Sequence, residues 1–351
     1  MKILLLGDIH FGVRSDNIAF HDANKMFFDN VLFPYIKKHK IKTVVQLGDL
    51  FDRRKYINYV SLNRARNDFI DPILKLGVDL HLIAGNHDTY FKSTNEINAQ
   101  SELLSNYNVN IYASPTEVKF ENTKILMLPW ICDDNREESL ELIGKTNAKI
   151  CFGHLELQGF EMYRGSLMSH GDDPKTFSKF DIVCSGHYHH RSNRDNIHYL
   201  GSNGYFTWSD YNDPRGFHVL DTKTLELEFV KNPYDMFYKF WYNDSEEGFL
   251  DNVDYTIFTS KIVKIIIQEK NNSFLFDNFI DKIENNNPIE LQIVEDHLNL
   301  DIESDEDIIS ETESTLDIFR QYVSNLEINN IDRGTLERNI VNLYQEALSI
   351  E

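Results

Sequence analysis

Five short segments of the chain hold residues that bind metal ions and move protons. They are Asp8-Ile9-His10, Gly48-Asp49, Gly85-Asn86-His87-Asp88, Gly153-His154 and Gly186-His187-Tyr188-His189. Carboxylate oxygens, imidazole nitrogens and an amide oxygen suit borderline divalent ions such as Mn²⁺, Fe²⁺ or Zn²⁺. Seven candidate donors stand here: Asp8, His10, Asp49, Asn86, His154, His187 and His189. One ion needs about three or four protein ligands, so these suffice for two ions if one carboxylate bridges. Asp49 is the natural bridge, because it stands alone in its segment and carries two oxygens. Two ions about 3.5–4 Å apart can activate a water and clamp the oxygens of an in-line phosphoryl displacement. No cysteine lies in these segments, which disfavours a structural zinc site.

Each segment follows an apolar run that reads as a strand. The runs 3–6, 43–47 and 80–84 end in a glycine within a residue or two, and helix-length segments at 18–38 and 56–75 separate them. Such alternation predicts βαβ units and parallel strands. From residue 108 the pattern turns to strands, at 118–120, 125–128, 149–152, 182–185, 198–200, 217–220 and 225–230. A mixed α/β sandwich fits this better than an open Rossmann sheet. All five segments then lie past the C-terminal ends of strands, the edge where α/β sheets bind ligands.

The formal charge of −21 argues at first against a nucleic-acid partner. Its distribution changes that. Residues 1–240 hold 28 Lys and Arg against 31 Asp and Glu, whereas residues 241–351 hold 7 against 25. The acidity belongs to the C-terminal third. A second unit starts near Pro233, with a strand-like stretch at 255–268, a helical pattern at 274–284 and a strand at 289–294. Residues 283–319 contain no Lys or Arg and read as a solvated, flexible linker. Beyond it Leu316, Phe319, Val323 and Leu326, then Leu336, Ile340, Leu343 and Leu348, recur at helical spacing and predict a helix pair. The expected division is 1–232, 233–294, an acidic linker at 295–314, and a helical segment at 315–351. Cys132, Cys151 and Cys184 are widely spaced, with no C-x-x-C pair, and fit a reducing cytoplasm. No apolar run approaches a membrane span, and the first run stops too soon for a signal peptide.

Taken in order, D-x-H, G-D-x-x-D, G-N-H-D, a lone G-H and G-H-x-H resemble the calcineurin-like metallophosphoesterase superfamily. Within it the chain looks like the DNA double-strand-break repair nucleases, bacterial SbcD and, more so, the small subunit of the T-even phage recombination endonuclease. Leu128-Pro129-Trp130, Gly153-His154-Leu155-Glu156-Leu157 and Asn212-Asp213-Pro214-Arg215-Gly216-Phe217 share in the likeness, which is strong over 1–220 and weak beyond. The resemblance implies a four-layer β-sandwich flanked by helices, a small α+β capping domain and a terminal helix pair. It implies one ion on Asp8, His10, Asp49 and His189, and a second on Asp49, Asn86, His154 and His187. His87 would face the scissile phosphate, with the Asp52 carboxylate orienting it. It also implies Mn²⁺, an SbcC-like coiled-coil ATPase partner that binds the terminal helices, and a homodimer within a heterotetramer. If the chain is phage-encoded, its place is the host cytoplasm.

Each motif alone is weak: G-N-H-D is often an Asn- and Asp-rich turn. Five in order at strand ends are not. His21, His39 and His81 read as ordinary surface or boundary residues, and His170 and His190 as loop histidines. Arg14, Arg53, Arg54, Lys55, Arg191 and Arg194 follow the metal loops and read either as solvated charge or as DNA-phosphate contacts. Two other functions compete with a DNA nuclease. A nucleotide phosphodiesterase or protein phosphatase has the same chemistry, but the extra domain disfavours a minimal phosphatase. A scaffold with a structural metal site would have no use for an unligated His87.

Overall fold

The run Ile3-Leu4-Leu5-Leu6 lies in β1 (Lys2–Leu6) and is buried on both faces, so the strand needs cover on both sides. In the computed structural model, which describes residues 1–245 and 248–295, β2 (Thr43–Gln46), β3 (Asp79–Ile83) and β4 (Asn110–Tyr112) extend this sheet in parallel. A short helix, Ala99–Leu104, lies between β3 and β4, and two long helices connect β1 to β2 and β2 to β3. One spans 18–39, opened by Asn17 accepting from the Ala19 amide; the other spans 59–75, opened by Asn58 accepting from the Val60 amide. Each passes through a π turn, Phe28–Leu32 in the first and Ala65–Ile70 in the second.

The chain then builds a second sheet. It holds β5 (Thr116–Phe120), β6 (Thr123–Leu128) and β7 (Ile150–His154), then β10 (Ile182–Gly186), β11 (Ser192–Arg194) and β12 (Ile197–Tyr199). A small hairpin, β8 (Glu161–Tyr163) with β9 (Ser166–Leu167), lies between them in sequence. The order is β11-β12-β10-β7-β6-β5, with β6, β7, β10 and β12 parallel. Finally β13 (Gly216–Asp221) and β14 (Leu227–Lys231) return to the first sheet, where β13 pairs antiparallel with β1. Ile3, Leu5, Val45, Ile125, Met127, Phe152 and Cys184 fill the space between the sheets. Leu4, Leu6, Val44 and Leu82 pack outward under the two helices, and Leu126, Cys151 and Val183 form the outer core of the second sheet. Alternate residues of one strand thus serve two cores.

The last described residues form a three-stranded parallel sheet of β15 (Phe237–Asn243), β16 (Ile262–Glu269) and β17 (Glu290–Glu295). The helix Ser273–Glu284 covers it through Phe276, Phe279 and Ile283. Phe20, Phe206 and Trp208 meet Met236, Phe237 and Ile262 in one apolar cluster that joins this sheet to the body.

Three sequence expectations change. The helix Arg136–Lys145 was not expected among strands, because it buries only Ser139 and Ile143 and has little apolar face. The stretch 255–268 opens with a 3-10 turn, Tyr255–Phe258, and its strand starts at Ile262; β15 had no prediction. His21 and His81 are buried, bonded to Ser61 Oγ at 3.0 Å and to the Tyr112 hydroxyl at 2.7 Å. The acidic block begins within helix 273–284 and β17, and its remainder, with the expected terminal helices, lies outside the described residues. Among the described residues no helix is long and apolar enough to cross a membrane.

Candidate metal centre

The loops after β1, β2 and β3 come from the first sheet, and those after β7 and β10 from the second. Parallel strands end their loops at one edge, and the two sheets are packed face to face, so all five meet at the seam. Asp8, His10, Asp49, Asn86, His154 and His189 are buried there, and His87 and His187 are partly open to solvent.

The seven candidate donors fall into two groups, and His10 also stands in a third set with Asp52 and His87. Ligand atoms of Asp8, His10 and His189 lie within 4.8 Å of one another, as do those of Asp49, His154 and His187. In the first group His10 Nε2 faces His189 Nε2 at 3.0 Å. In the second, Asn86 Oδ1 lies 2.8 Å from His154 Nε2 and 3.1 Å from His187 Nδ1. Asp49 Oδ2 lies 3.2 Å from His154 Nε2 and 3.8 Å from His10 Nε2, so this carboxylate spans the groups.

The hydrogen bonding behind these atoms shows what the pocket fits. His154 Nδ1 lies 2.8 Å from the Leu47 carbonyl, which can only accept. The neutral ring therefore carries its proton on Nδ1 and turns a bare Nε2 toward two further acceptors, Asn86 Oδ1 and Asp49 Oδ2. Nε2 can give these acceptors a proton or, once deprotonated, join them as a third lone pair on a cation; a backbone carbonyl behind a metal-ligating imidazole fixes its tautomer in the same way. A divalent ion of the borderline class fits both groups.

Backbone strain marks the same residues. His10, Asp49 and His187 have φ of 51°, 55° and 88°, a region that non-glycine residues seldom occupy. The Asp49 carbonyl accepts from the Ile9 and His10 amides, both at 3.1 Å, which holds this turn against the first loop. Two glycines make room. A Cβ on Gly48 would lie 2.1 Å from the His154 ring, and one on Gly85 would lie 2.2 Å from Asp49 Oδ1.

The charges are strongly coupled. Burial pushes the His154 imidazole down, but Asp49 and Asp8 outweigh it and raise it to about 9. Burial, then the neighbouring His154, holds His187 well below its usual range. Burial pushes the Asp49 carboxyl up, yet His154, His87 and His10 bring it well below the usual carboxylate range. Burial, with the Asp49 charge next, raises Asp88 to about 7. Imidazoles must be neutral to bind metal, so acidification works against ion binding here.

The profile of calcineurin-like phosphoesterases matches residues 1–191, a span that contains all five loops. The chain belongs to that family. Exonuclease subunit 1 of Enterobacteria phage T4 is 35% identical to it, with 99% of both chains covered. The D subunit of the nuclease SbcCD from Staphylococcus epidermidis is 23% identical over 65% of this chain and 67% of that protein. The DNA double-strand break repair protein Mre11 of Sulfurisphaera tokodaii is 26% identical over 54% of this chain and 49% of that protein. A calcineurin-like phosphoesterase fold carries divalent metals, in keeping with the two donor groups.

Several other candidate residues of this phosphoesterase have partners of their own. The Asp52 carboxylate lies 3.2 Å from His10 Nδ1, while the Asp52 backbone carbonyl accepts from His87 Nδ1 at 2.5 Å. Asp52 thus bonds His87 through its main chain, with its amide tied to the Phe11 carbonyl at 3.1 Å, while its carboxylate, beside His10, also lies within 4.8 Å of a His87 ring nitrogen. Arg191 stacks 3.7 Å over the Phe229 ring, and Arg194 lies 4.7 Å over Phe160 and donates to the Gly159 carbonyl. Neither is simple solvated charge. Arg53 sits 3.2 Å from Asp16 and donates to the Tyr56 hydroxyl; Arg14 and Arg54 are half-buried and Lys55 is exposed. His190 is part of a buried network, 2.8 Å from Asp213, which also pairs with the fully buried Arg215 at 3.2 Å. Sequence reasoning assigned no role to Asp88, whose only signal was its place at the end of G-N-H-D. It also passed over Phe206, whose ring meets those of His10 and His189 edge-on at 5.6 Å.

Proposed function

We propose that this chain is a metal-dependent DNA endo- and exonuclease, the cutting subunit of a recombination and repair assembly, working by a two-metal mechanism with Mn²⁺ as its ion. The observation that carries this reading is the acceptor convergence around Asp49. Asp8, His10, Asp49 and His189 hold one ion, and Asp49, Asn86, His154 and His187 hold the other. When bound, the ions supply a water nucleophile at neutral pH and offset charge on the phosphoryl oxygens. His87 binds no metal. With Nδ1 engaged by the Asp52 carbonyl, its Nε2 meets the scissile phosphate and assists the leaving oxygen. The Asp52 carboxylate orients His10. Arg14, Arg53, Arg54 and Lys55 guide the DNA backbone toward this edge, with Arg191 and Arg194 framing the second-sheet side.

Relatives named as subunits support a partnered enzyme. We place this chain as a homodimer within a heterotetramer, joined through residues 315–351 to an SbcC-like coiled-coil ATPase, in the host cytoplasm if it is phage-encoded. Labelled linear DNA, cut in Mn²⁺ and left intact once EDTA is added, is the expected result. Robust cleavage in EDTA would sink the metal mechanism. Co-purification with a coiled-coil ATPase tests the partner.

A further inference from the structure

Asp88 belongs to neither donor group, yet its carboxylate is fully buried and fully engaged. Oδ2 accepts from the Gly85 amide at 3.0 Å, the Leu50 amide at 3.3 Å and Gln100 Nε2 at 2.8 Å. Oδ1 accepts from the Phe51 amide at 3.1 Å. All four partners are N–H donors, so the ionised carboxylate satisfies them with no acceptor turned against an acceptor. Leu50 and Phe51 directly follow Asp49, and Gly85 directly precedes Asn86.

The loops after β1 and β2 are zipped along their backbones, by Ile9, His10 and Phe11 amides on Asp49 and Leu50 carbonyls. Between the loops after β2 and β3 the ties run through side chains. They are the His87 amide on Asp49 Oδ1 at 2.7 Å, His87 Nδ1 on the Asp52 carbonyl at 2.5 Å, and the bonds to Asp88. Gln100 backs the carboxylate from the helix Ala99–Leu104 and also donates to the Ile83 carbonyl at 2.9 Å, at the end of β3. Asp88 therefore stands where the spacing between Asp49 and Asn86 is decided.

We propose that Asp88 is a positioning residue, backed by Gln100, that sets the Asp49–Asn86 spacing and thereby how tightly the Asn86 side of the site holds its ion. This rests on the two-metal reading above. The test is calorimetric titration of full-length protein with Mn²⁺, beside steady-state cleavage of linear DNA. Asp88→Asn keeps the volume but turns an NH₂ group toward N–H donors. Wild type should bind two ions. Asp88→Asn should bind one of them about 10–100-fold more weakly, with kcat lowered and KM for DNA unchanged. Gln100→Met leaves the Asp88 carboxyl and its three backbone donors in place and should give a smaller loss of the same kind. A merely structural Asp88 would lower Tm and leave the Mn²⁺ affinity of the folded protein at the wild-type value. That result overturns the proposal. If Asp88→Asn does not fold, wild-type affinity in Gln100→Met overturns it instead. Fewer than two ions on wild type would defeat the two-metal reading itself, and this inference with it.

Discussion

Replacing Gly85 with alanine puts one methyl group into the tightest part of the site. The added Cβ would lie 2.2 Å from Asp49 Oδ1 and 2.4 Å from the Asp49 amide nitrogen, where ordinary contact begins at 3.4 Å. One side must therefore retreat by about 1 Å. Asp49 is poorly placed to do so, since its left-handed backbone is held by two amides of the first loop. A misplacement of about 1 Å in a catalytic constellation costs on the order of 100-fold in rate. Overpacking costs about 1–3 kcal/mol in stability. Gly85→Ala should thus remain folded at assay temperature with a lowered Tm, lose bound metal and cleave DNA about 100-fold more slowly. Metal content, cleavage rate and melting curve are read on one preparation. Gly144→Ala is the control. That glycine lies exposed in helix Arg136–Lys145 with nothing within 4 Å of an added Cβ, and alanine there should stabilise by roughly 0.5–1 kcal/mol with activity unchanged. Full metal content and wild-type rate in Gly85→Ala would refute the view that Asp49 placement limits catalysis.

Three more outcomes are expected. His87→Ala should lose most activity and keep both ions, whereas Asp49→Ala should lose metal as well; equal metal loss in both would make His87 a ligand. Burial holds His81 down to about 4, against 6.5 when unfolded, so the unfolded chain takes up a proton that the fold refuses. Stability is then intact above pH 6.5 and falls by ~3 kcal/mol as pH drops toward 4. His81→Leu should flatten that part of an acid-unfolding curve, and an unchanged slope would count against this origin. Truncation must spare β17, which pairs with β16 along Ile262–Ile267. A chain ending at Glu295 should keep its melting transition and basal nuclease activity but fail to co-purify with the ATPase, and undiminished binding would defeat the partner assignment.

The seven candidate donors were legible because each lies within three residues of a glycine at the end of an apolar run, and both features are local. What holds them was not. Asp88 meets Leu50 and Phe51 only because β2 and β3 are neighbours in the sheet, and nothing in the spacing of residues 49 and 88 announces it. The spacing of Asp52 suggested a carboxylate aimed at His87; that it also pairs with His10, at 3.2 Å, follows from the backbone pairing with Phe11, which the spacing does not show. The central strands were readable from their apolar runs. The helix Arg136–Lys145 was not, because so little of it is buried. Arg191 and Arg194 looked like loop charge, since the rings of Phe229 and Phe160 that receive them come from distant segments.

Because the site lies on the seam between two sheets, it has a place in time as well as in space. His10 and His189 face each other across a sequence separation of 179 residues. The first sheet is itself unfinished until β13 and β14 return to pair with β1. At about 5–20 residues per second, a ribosome would spend many seconds between making the first donor and the last. Through that interval neither donor set is complete: the nascent chain lacks His189 from one, and His187 from the other. A DNA-cutting activity divided in this way stays off until both sheets have met, without any inhibitor to keep it so.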